Sequence, residues 1–300
     1  MSAASSVRVL AEDHGDAYSI YQADCVDFAQ QMPDNSVDIS LYSPPFSGLY
    51  IYSDSIADMG NTADDEEFLK QYSFLVREMH RVTRPGRTSV VHCKNLVNYA
   101  GRDGMAGLRD FRGDIIRIHQ AAGFAYASEV VIWKDPVIEM QRTKAHGLLY
   151  KQLRTDSTFS RHGLPEYILL FRKWSKVTPD SLVQPVTHTH EDFNLDQWQK
   201  WASPVWMDIR QTNVLNCKIA RSEQDEKHIC PLQLDVIERC LTLWSNPGDT
   251  VFSPFMGVGS EGYQSLKFRR KFIGTELKEG YFKLACDFLR GVEAEGDLFR

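Results

Sequence analysis

The sequence predicts an α/β fold, a mostly parallel twisted sheet with helices on both faces. Three observations carry this expectation. Short β-branched or apolar runs alternate with segments whose apolar residues recur every three to four positions, the pattern of strands leading into amphipathic helices. Two strand ends break into proline-rich or glycine-rich turns, the kind that carry ligands at the carboxyl edge of an open sheet. The chain has 300 residues, 43% hydrophobic and 25% charged, which suits one large domain or a domain with an insertion.

The elements follow in order. Tyr18 to Tyr21 reads as a short strand and Asp24 to Met32 as a helix; Pro33 to Ser36 turns the chain into a strand over Val37 to Tyr42. That strand stops at Ser43-Pro44-Pro45-Phe46, because neither proline has an N–H to give to a ladder. Asp64 to Val82 carries a strong helical stripe of Phe68, Leu69, Tyr72, Leu75, Val76 and Met79. Arg84-Pro85-Gly86 is expected to turn, with a strand over Thr88 to His92. A helix over Asp114 to Ala122 ends at Gly123, and strands follow at Ser128 to Trp133 and Pro165 to Arg172. From about Lys173 to Lys227 the periodicity dissolves into a polar stretch with Trp174, Trp198, Trp201 and Trp206, read as an insertion or small subdomain. Regular structure resumes with a helix over Pro231 to Trp244, proline at its start. A turn at Asn246 to Asp249, strands at Thr250 to Ser253 and Arg270 to Glu276, and a helix at Tyr281 to Leu289 complete the chain.

Composition narrows the class. No apolar stretch approaches the ~20 residues needed to cross a bilayer, and the opening Met1 to Ser6 lacks the basic patch and apolar run of a secretory signal. Six cysteines, at 25, 93, 217, 230, 240 and 286, form no C-x-x-C pair, which argues against a structural zinc or a disulfide framework and for a reduced, cytoplasmic protein. His188 and His190 lack a further ligand at suitable spacing, so no metal is expected. The net charge of −6 argues mildly against a nucleic-acid partner. Locally the balance reverses: residues 134 to 176 hold nine Lys or Arg against four acids. Arg142, Lys144, Lys151, Arg154 and Arg161 are the members expected to meet phosphates or guanine edges.

Two loops carry the chemistry. Gly257, Gly259 and Gly262 match G-x-G-x-x-G between a strand and a helix, and Glu276 ends the next strand 19 residues after Gly257. A carboxylate there can accept hydrogen bonds from both ribose hydroxyls of an adenosine-containing cofactor. Only 24 residues follow Glu276, too few for the remaining strands of a dehydrogenase, so the sheet must be completed by the earlier part of the chain in shuffled order. The other loop, Ser43-Pro44-Pro45-Phe46, offers a hydroxyl, stiffened carbonyl acceptors and an aromatic face. Those are the parts a site needs to hold a planar amino group and stack its ring.

These residues resemble a known family. Ser43-Pro44-Pro45-Phe46 is similar to motif IV, (D/N/S)-P-P-(Y/F), of the DNA amino-methyltransferases, and Ser253 to Ser260 to their motif I, D-P-F-x-G-S-G-T. Motif IV preceding motif I resembles the β group of that family, a Rossmann-like methyltransferase fold in circularly permuted order. Asp24 matches motif III, Arg84-Pro85-Gly86 motif VI, Lys227-His228 with Pro231 motif X, and Lys271 to Leu277 motif II, R-F-I-G-I-E-L. Ser253 stands where the family usually has Asp, and Val258 where it has a small residue. The resemblance implies S-adenosylmethionine as methyl donor. Ser253, Phe255, Gly257, Gly259 and Ser260 would hold its methionine part, Glu276 its ribose and Asp24 its adenine amine, with Lys227, His228 and Pro231 completing the site. It implies double-stranded DNA as partner, admits a homodimer, and makes Ser43, Pro44, Pro45 and Phe46 the catalytic loop. Domain boundaries follow: a catalytic half at 1–133, a target-recognition region at 134–226 with a returning strand near 165–172, and a cofactor half at 227–300. Residues 47–65 are expected to form a flap and 101–107 a flexible loop. Adenine N6 is placed slightly ahead of cytosine N4 as the acceptor. RNA, a protein amide, or DNA binding without catalysis are the alternative functions.

Overall fold

In the computed structural model of the protein the described residues are 8–45, 65–143, 150–159, 162–175, 184–216 and 231–297. In chain order they form β1 (Ala11–His14), β2 (Tyr18–Gln22), α1 (Cys25–Gln31), β3 (Val37–Tyr42), α2 (Asp65–Val82), β4 (Thr83–Cys93), β5 (Leu96–Asn98) and α3 (Ala100–Asp103). Next come β6 (Gly107–Arg109), α4 (Phe111–Ala121), β7 (Phe124–Ile132), α5 (Pro136–Thr143), α6 (Tyr150–Thr155), β8 (Glu166–Lys173), α7 (Leu195–Trp201) and β9 (Val205–Trp206). The last group is α8 (Leu234–Trp244), β10 (Thr250–Ser253), α9 (Ser260–Lys267), β11 (Lys271–Glu276) and α10 (Glu279–Asp297). The main sheet runs β1-β2-β11-β10-β3-β4-β8-β7-β9, parallel from β2 through β4 and antiparallel where β8 enters between β4 and β7.

Strand side chains alternate between two layers of helices. Ile39, Leu41, Val90, Ile132, Ile168 and Val251 point to one core, where Val236, Ile237 and Leu241 of α8 and Phe282, Ala285 and Leu289 of α10 meet them. Val37, Tyr42, Val91, Leu169, Phe171 and Phe252 point to the other, built with Ala29 of α1, Phe68, Tyr72, Leu75 and Met79 of α2, and Phe111 and Ile115 of α4. Among the described residues no helix is long and apolar enough to cross a membrane.

The second core contains a polar chain beneath the end of β3. Tyr42 Oη lies 3.0 Å from Tyr72 Oη and 3.3 Å from His119 Nε2, while His119 Nδ1 lies 2.8 Å from the Ile115 carbonyl. A carbonyl can only accept, so Nδ1 carries the proton and Nε2 accepts from Tyr42. The imidazole stacks on Phe171 at 3.9 Å, and burial pushes its pKa down from 6.5 to about 3. Between those values the unfolded chain takes up a proton that the fold refuses. Stability is therefore complete above pH 6.5 and lost as pH falls towards 3. Chemical denaturation at pH 7 and pH 4.5 should show wild type losing on the order of a few kcal/mol more than His119→Gln. Parallel curves for the two proteins would show that His119 is not the group responsible.

The amino edge of the sheet is pinned by charge. Asp38 accepts from Arg84 Nη1 at 2.9 Å and from the Thr250 N–H at 2.9 Å, and Arg87 bridges towards Asp249 at 3.2 Å. This explains a departure from the expected turn: β4 runs through Arg84-Pro85-Gly86. Val37 pairs with Thr83 and Ile39 with Thr88, so the extra residues bulge out of the ladder, with Gly86 at φ 82°. Helix α4 and strand β7 begin earlier than their periodicity suggests. The expected loop at 101–107 contains the end of α3, and the polar stretch after Lys173 supplies the edge strand β9. The expected flap, 47–65, lies outside the described residues except for Asp65 at the start of α2.

Candidate active site

Five parallel strands deliver their carboxyl ends to one edge in the order β2, β11, β10, β3, β4. Asp24 follows β2, Glu276 ends β11, Ser253 to Gly259 leave β10, Ser43 to Pro45 leave β3 and His92 lies at the end of β4. The two loops singled out in the sequence are neighbours, because β10 and β3 pair in parallel with Val251 opposite Ile39 and Phe252 opposite Ser40. Their rings meet: Tyr42 and Phe255 lie 5.9 Å apart.

The glycine loop is built around Glu276. Its Oε2 accepts from the Gly257 N–H at 2.9 Å and its Oε1 from the Lys278 N–H at 2.8 Å, so the carboxylate is held at the rim by backbone donors. Each oxygen can accept a second bond. Gly257 has φ +54° and open space where a Cβ would stand, so a ligand can approach its backbone closely. Gly259 serves the fold instead: at φ +87°, a Cβ there would come within 3.1 Å of Ala285 Cβ. Ser253 Oγ and Ser260 Oγ are buried without hydrogen-bond partners among the described residues. An open backbone, a pinned carboxylate and buried unpaired hydroxyls at one turn fit an adenosyl cofactor with its ribose and amino-acid groups.

Two acids accompany this loop. Asp24 caps α1, its Oδ1 accepting from the Val26 and Asp27 N–H groups at 2.9 Å each, and burial raises its pKa despite those bonds. Glu261, in the first turn of α9, is pushed up to about 8 by burial, reinforced by the charge of Glu276. The folded protein therefore keeps a proton that the unfolded chain releases near the ordinary value of 4.5. Its contribution is full below that pH and lost as pH rises through about 8. Glu261→Gln should raise the unfolding free energy at pH 8.5 by an amount on the order of a few kcal/mol and change it little at pH 4.5. An equal effect at both pH values would contradict a buried, protonated carboxyl.

The proline loop carries a polar chain of its own. Ser43 is half-buried and Pro44 and Pro45 are buried. Ser43 Oγ lies 3.1 Å from His92 Nδ1 and 3.3 Å from the His92 carbonyl. His92 Nε2 lies 3.1 Å from Glu166 Oε2, which pairs with Lys134 Nζ at 2.6 Å. Lys134 also donates to Gln211 Oε1. Burial alone would raise the Glu166 pKa; the hydrogen bonds from His92 and Lys134 and the Lys134 charge instead hold it well below the usual carboxylate range. His92 and Glu166 are not among the residues singled out from sequence. The signal for them is a histidine ending one apolar strand run and a glutamate opening another.

The remaining expected residues divide as follows. Phe46, Lys144, Arg161, Lys227 and His228 lie outside the described residues. Pro231 leads into α8. Arg142 and Lys151 belong to α5 and α6, their side chains outside the described set, and Arg154 is exposed on α6. Two basic residues counted towards the DNA-facing stretch have other work: Lys134 is buried against Glu166, and Lys173 Nζ donates to Asn35 Oδ1 and to the Arg81 and Thr83 carbonyls at 2.8–3.1 Å. Among the described residues no group of three or more His, Cys, Asp or Glu is placed to hold a metal.

Known proteins are similar to this chain. The Type II methyltransferase M.BglII of Bacillus subtilis is 25% identical over 284 residues, covering 93% of this chain and 71% of its own length. M1.MboII of Moraxella bovis is 23% identical, covering 91% and 97%. Among solved structures, a chain of Thermus thermophilus described as a putative DNA modification methylase, complexed with S-adenosyl-L-methionine, superposes with a TM-score of 0.63 at 21% identity, covering 90% and 92%. The cytosine-N4-specific PvuII DNA methyltransferase gives 0.60 at 16%, covering 91% and 86%. The family described as DNA methylase matches residues 37–287, most of the chain, and with both of its loops at one sheet edge this protein belongs to the N6/N4 DNA methylases.

Proposed function

We propose that the protein transfers a methyl group from S-adenosylmethionine to the exocyclic amine of a base flipped out of double-stranded DNA, at a specific sequence. The observation that carries this reading is the parallel pairing of β10 with β3, which places an adenosyl-type cradle and an amine-accepting loop side by side. S-adenosylmethionine, when bound, supplies an electrophilic methyl group on a sulfonium. Glu276 would take the ribose hydroxyls, Asp24 the adenine amine, and Phe255, Gly257 and Ser260 the amino-acid end, with Lys227, His228 and Pro231 beside it. Ser43 Oγ and the Pro44 carbonyl would accept the two N–H bonds of the target amine, turning its lone pair towards the donor and stabilising the positive charge that grows on nitrogen. Phe46 would stack on the extruded ring, offsetting part of the unstacking cost of a few kcal/mol.

The three-part division at 133 and 226 belongs to the same reading, with Arg142, Lys144, Lys151, Arg154 and Arg161 contacting phosphates or bases. Of the two amines, adenine N6 stays slightly ahead of cytosine N4. Ser43 is the residue associated with the cytosine product in the family, whereas adenine is the commoner product among β-group relatives, and either base presents a similar amino group to the same acceptors. A comparison of methyl transfer from labelled cofactor to duplex DNA, RNA and protein, followed by digestion of the DNA to nucleosides, tests the proposal. The expected product is N6-methyladenine in duplex DNA. N4-methylcytosine would overturn the base assignment alone, and label only in RNA or protein would overturn the substrate. DNA binding with no cofactor binding would leave a recognition module.

A further inference from the structure

We propose that His92, held by Glu166 and Lys134, is a positioning residue behind Ser43. It fixes the Ser43 hydroxyl as an acceptor for the target amine and receives, through that hydroxyl, the proton that the methylated nitrogen releases. The inference rests on the methyl-transfer reading above and adds a destination for the proton.

Strand geometry brings the chain together. On the face lined by Leu41, Val90, Ile168 and Ile132, the next same-face positions towards the carboxyl edge are Ser43, His92, Glu166 and Lys134. One step inward the same four strands present only aliphatic side chains. The ionic chain thus occurs only where the amine-accepting loop leaves the sheet. His92, Glu166 and Lys134 are 8%, 5% and 6% exposed, so the group is sheltered, and buried charge persists only when paired and hydrogen-bonded.

The contacts also assign the protons. An ionised Glu166 can only accept, so in the neutral ring Nε2 carries the hydrogen and Nδ1 is left to accept from Ser43 Oγ at 3.1 Å. With its own hydrogen committed to Nδ1, Ser43 presents lone pairs to the amine. In the reaction the nitrogen lone pair forms the new N–C bond, and the pair of the breaking S–C bond stays on sulfur. The nitrogen, now cationic, passes a proton to Ser43 Oγ as the hydroxyl hydrogen moves to His92 Nδ1. The product is then a neutral N-methyl amine with an imidazolium facing Glu166. A ring charged in this way donates from Nδ1 to Oγ, and the Ser43 hydrogen turns to the second acceptor within reach, the His92 carbonyl at 3.3 Å. The groups facing the ring are Ser43 from the β3 loop and Glu166 from β8, with Lys134 after β7 and Gln211 behind the carboxylate.

The test combines turnover with a readout that needs no turnover. His92→Asn should lower kcat by about a hundredfold, within the range for general acid–base groups, while cofactor and DNA affinities stay within about threefold. In the wild-type protein, ¹⁵N NMR of the histidine rings should show neutral His92 protonated at Nε2, and Glu166→Gln should release that preference. Wild-type turnover in His92→Asn, or a neutral ring protonated at Nδ1, would overturn the relay. The tautomer measurement decides even if the variant fails to fold. If no nucleic-acid amine is methylated at all, the proposed function fails instead, whatever the tautomer.

Discussion

Ser43→Ala is expected to lower kcat by roughly a hundredfold, the size seen when one preorganised partner of a developing charge is removed, with S-adenosylmethionine affinity within about threefold of wild type. The asymmetry follows from position. Ser43 leaves β3 on the side proposed to take the amine, and its described contacts are to His92, whereas the backbone donors around Glu276 belong to Gly257 and Lys278. Removing the hydroxyl also leaves His92 Nδ1 without its partner, at a cost of about 1–3 kcal/mol to stability. Turnover must therefore be measured well below the melting temperature. Isothermal titration with cofactor and single-turnover methylation of duplex DNA separate the two quantities. Equal losses in both would mean that the proline loop supports the cofactor and not the amine.

Glu276→Ala should show the opposite pattern. Hydrogen bonds to a charged group contribute about 1.5–3 kcal/mol each, so losing two ribose contacts should weaken cofactor binding by a hundredfold or more. Saturating cofactor should restore much of the rate. The carboxylate also orders the loop through the Gly257 and Lys278 N–H groups. Glu276→Gln, which keeps the shape and one acceptor oxygen, is expected to fall between the two proteins. Calorimetry checks the series, and an affinity unchanged in Glu276→Ala would remove the ribose from this edge.

Local chemistry made the two loops legible in the sequence. Prolines at 44 and 45 must end a ladder, and the glycines from 257 to 262 mark a strand–turn–helix whether or not the rest of the fold is known. Glu276 was legible because it sits at a fixed distance from that turn. The His92–Glu166–Lys134 chain was not, since it depends on the register of β4 against β8 and of β8 against β7. No periodicity within one segment reveals that three ionisable residues share one face. Lys134 shows the same limit from the other side: in composition it is one more basic residue of a DNA-facing stretch, and only the antiparallel entry of β8 makes it the partner of Glu166. The run through Arg84-Pro85-Gly86 reads as a turn because its residues favour one. The Asp38 carboxylate, which accepts from Arg84 and from the Thr250 N–H, holds it in the sheet edge instead. Strands β1 and β9 have four and two residues, too few for an alternation to register.

For methyl transfer the donor and the acceptor amine must meet across two adjacent strand ends. A crystal structure with S-adenosylhomocysteine bound tests this most directly. The ribose should lie on Glu276 and the sulfur should face Ser43 and Pro44 across a gap that one methylated nitrogen can fill. A thioether directed away from the β3 loop, or a ligand seated off the carboxyl edge of β10 and β11, would contradict it.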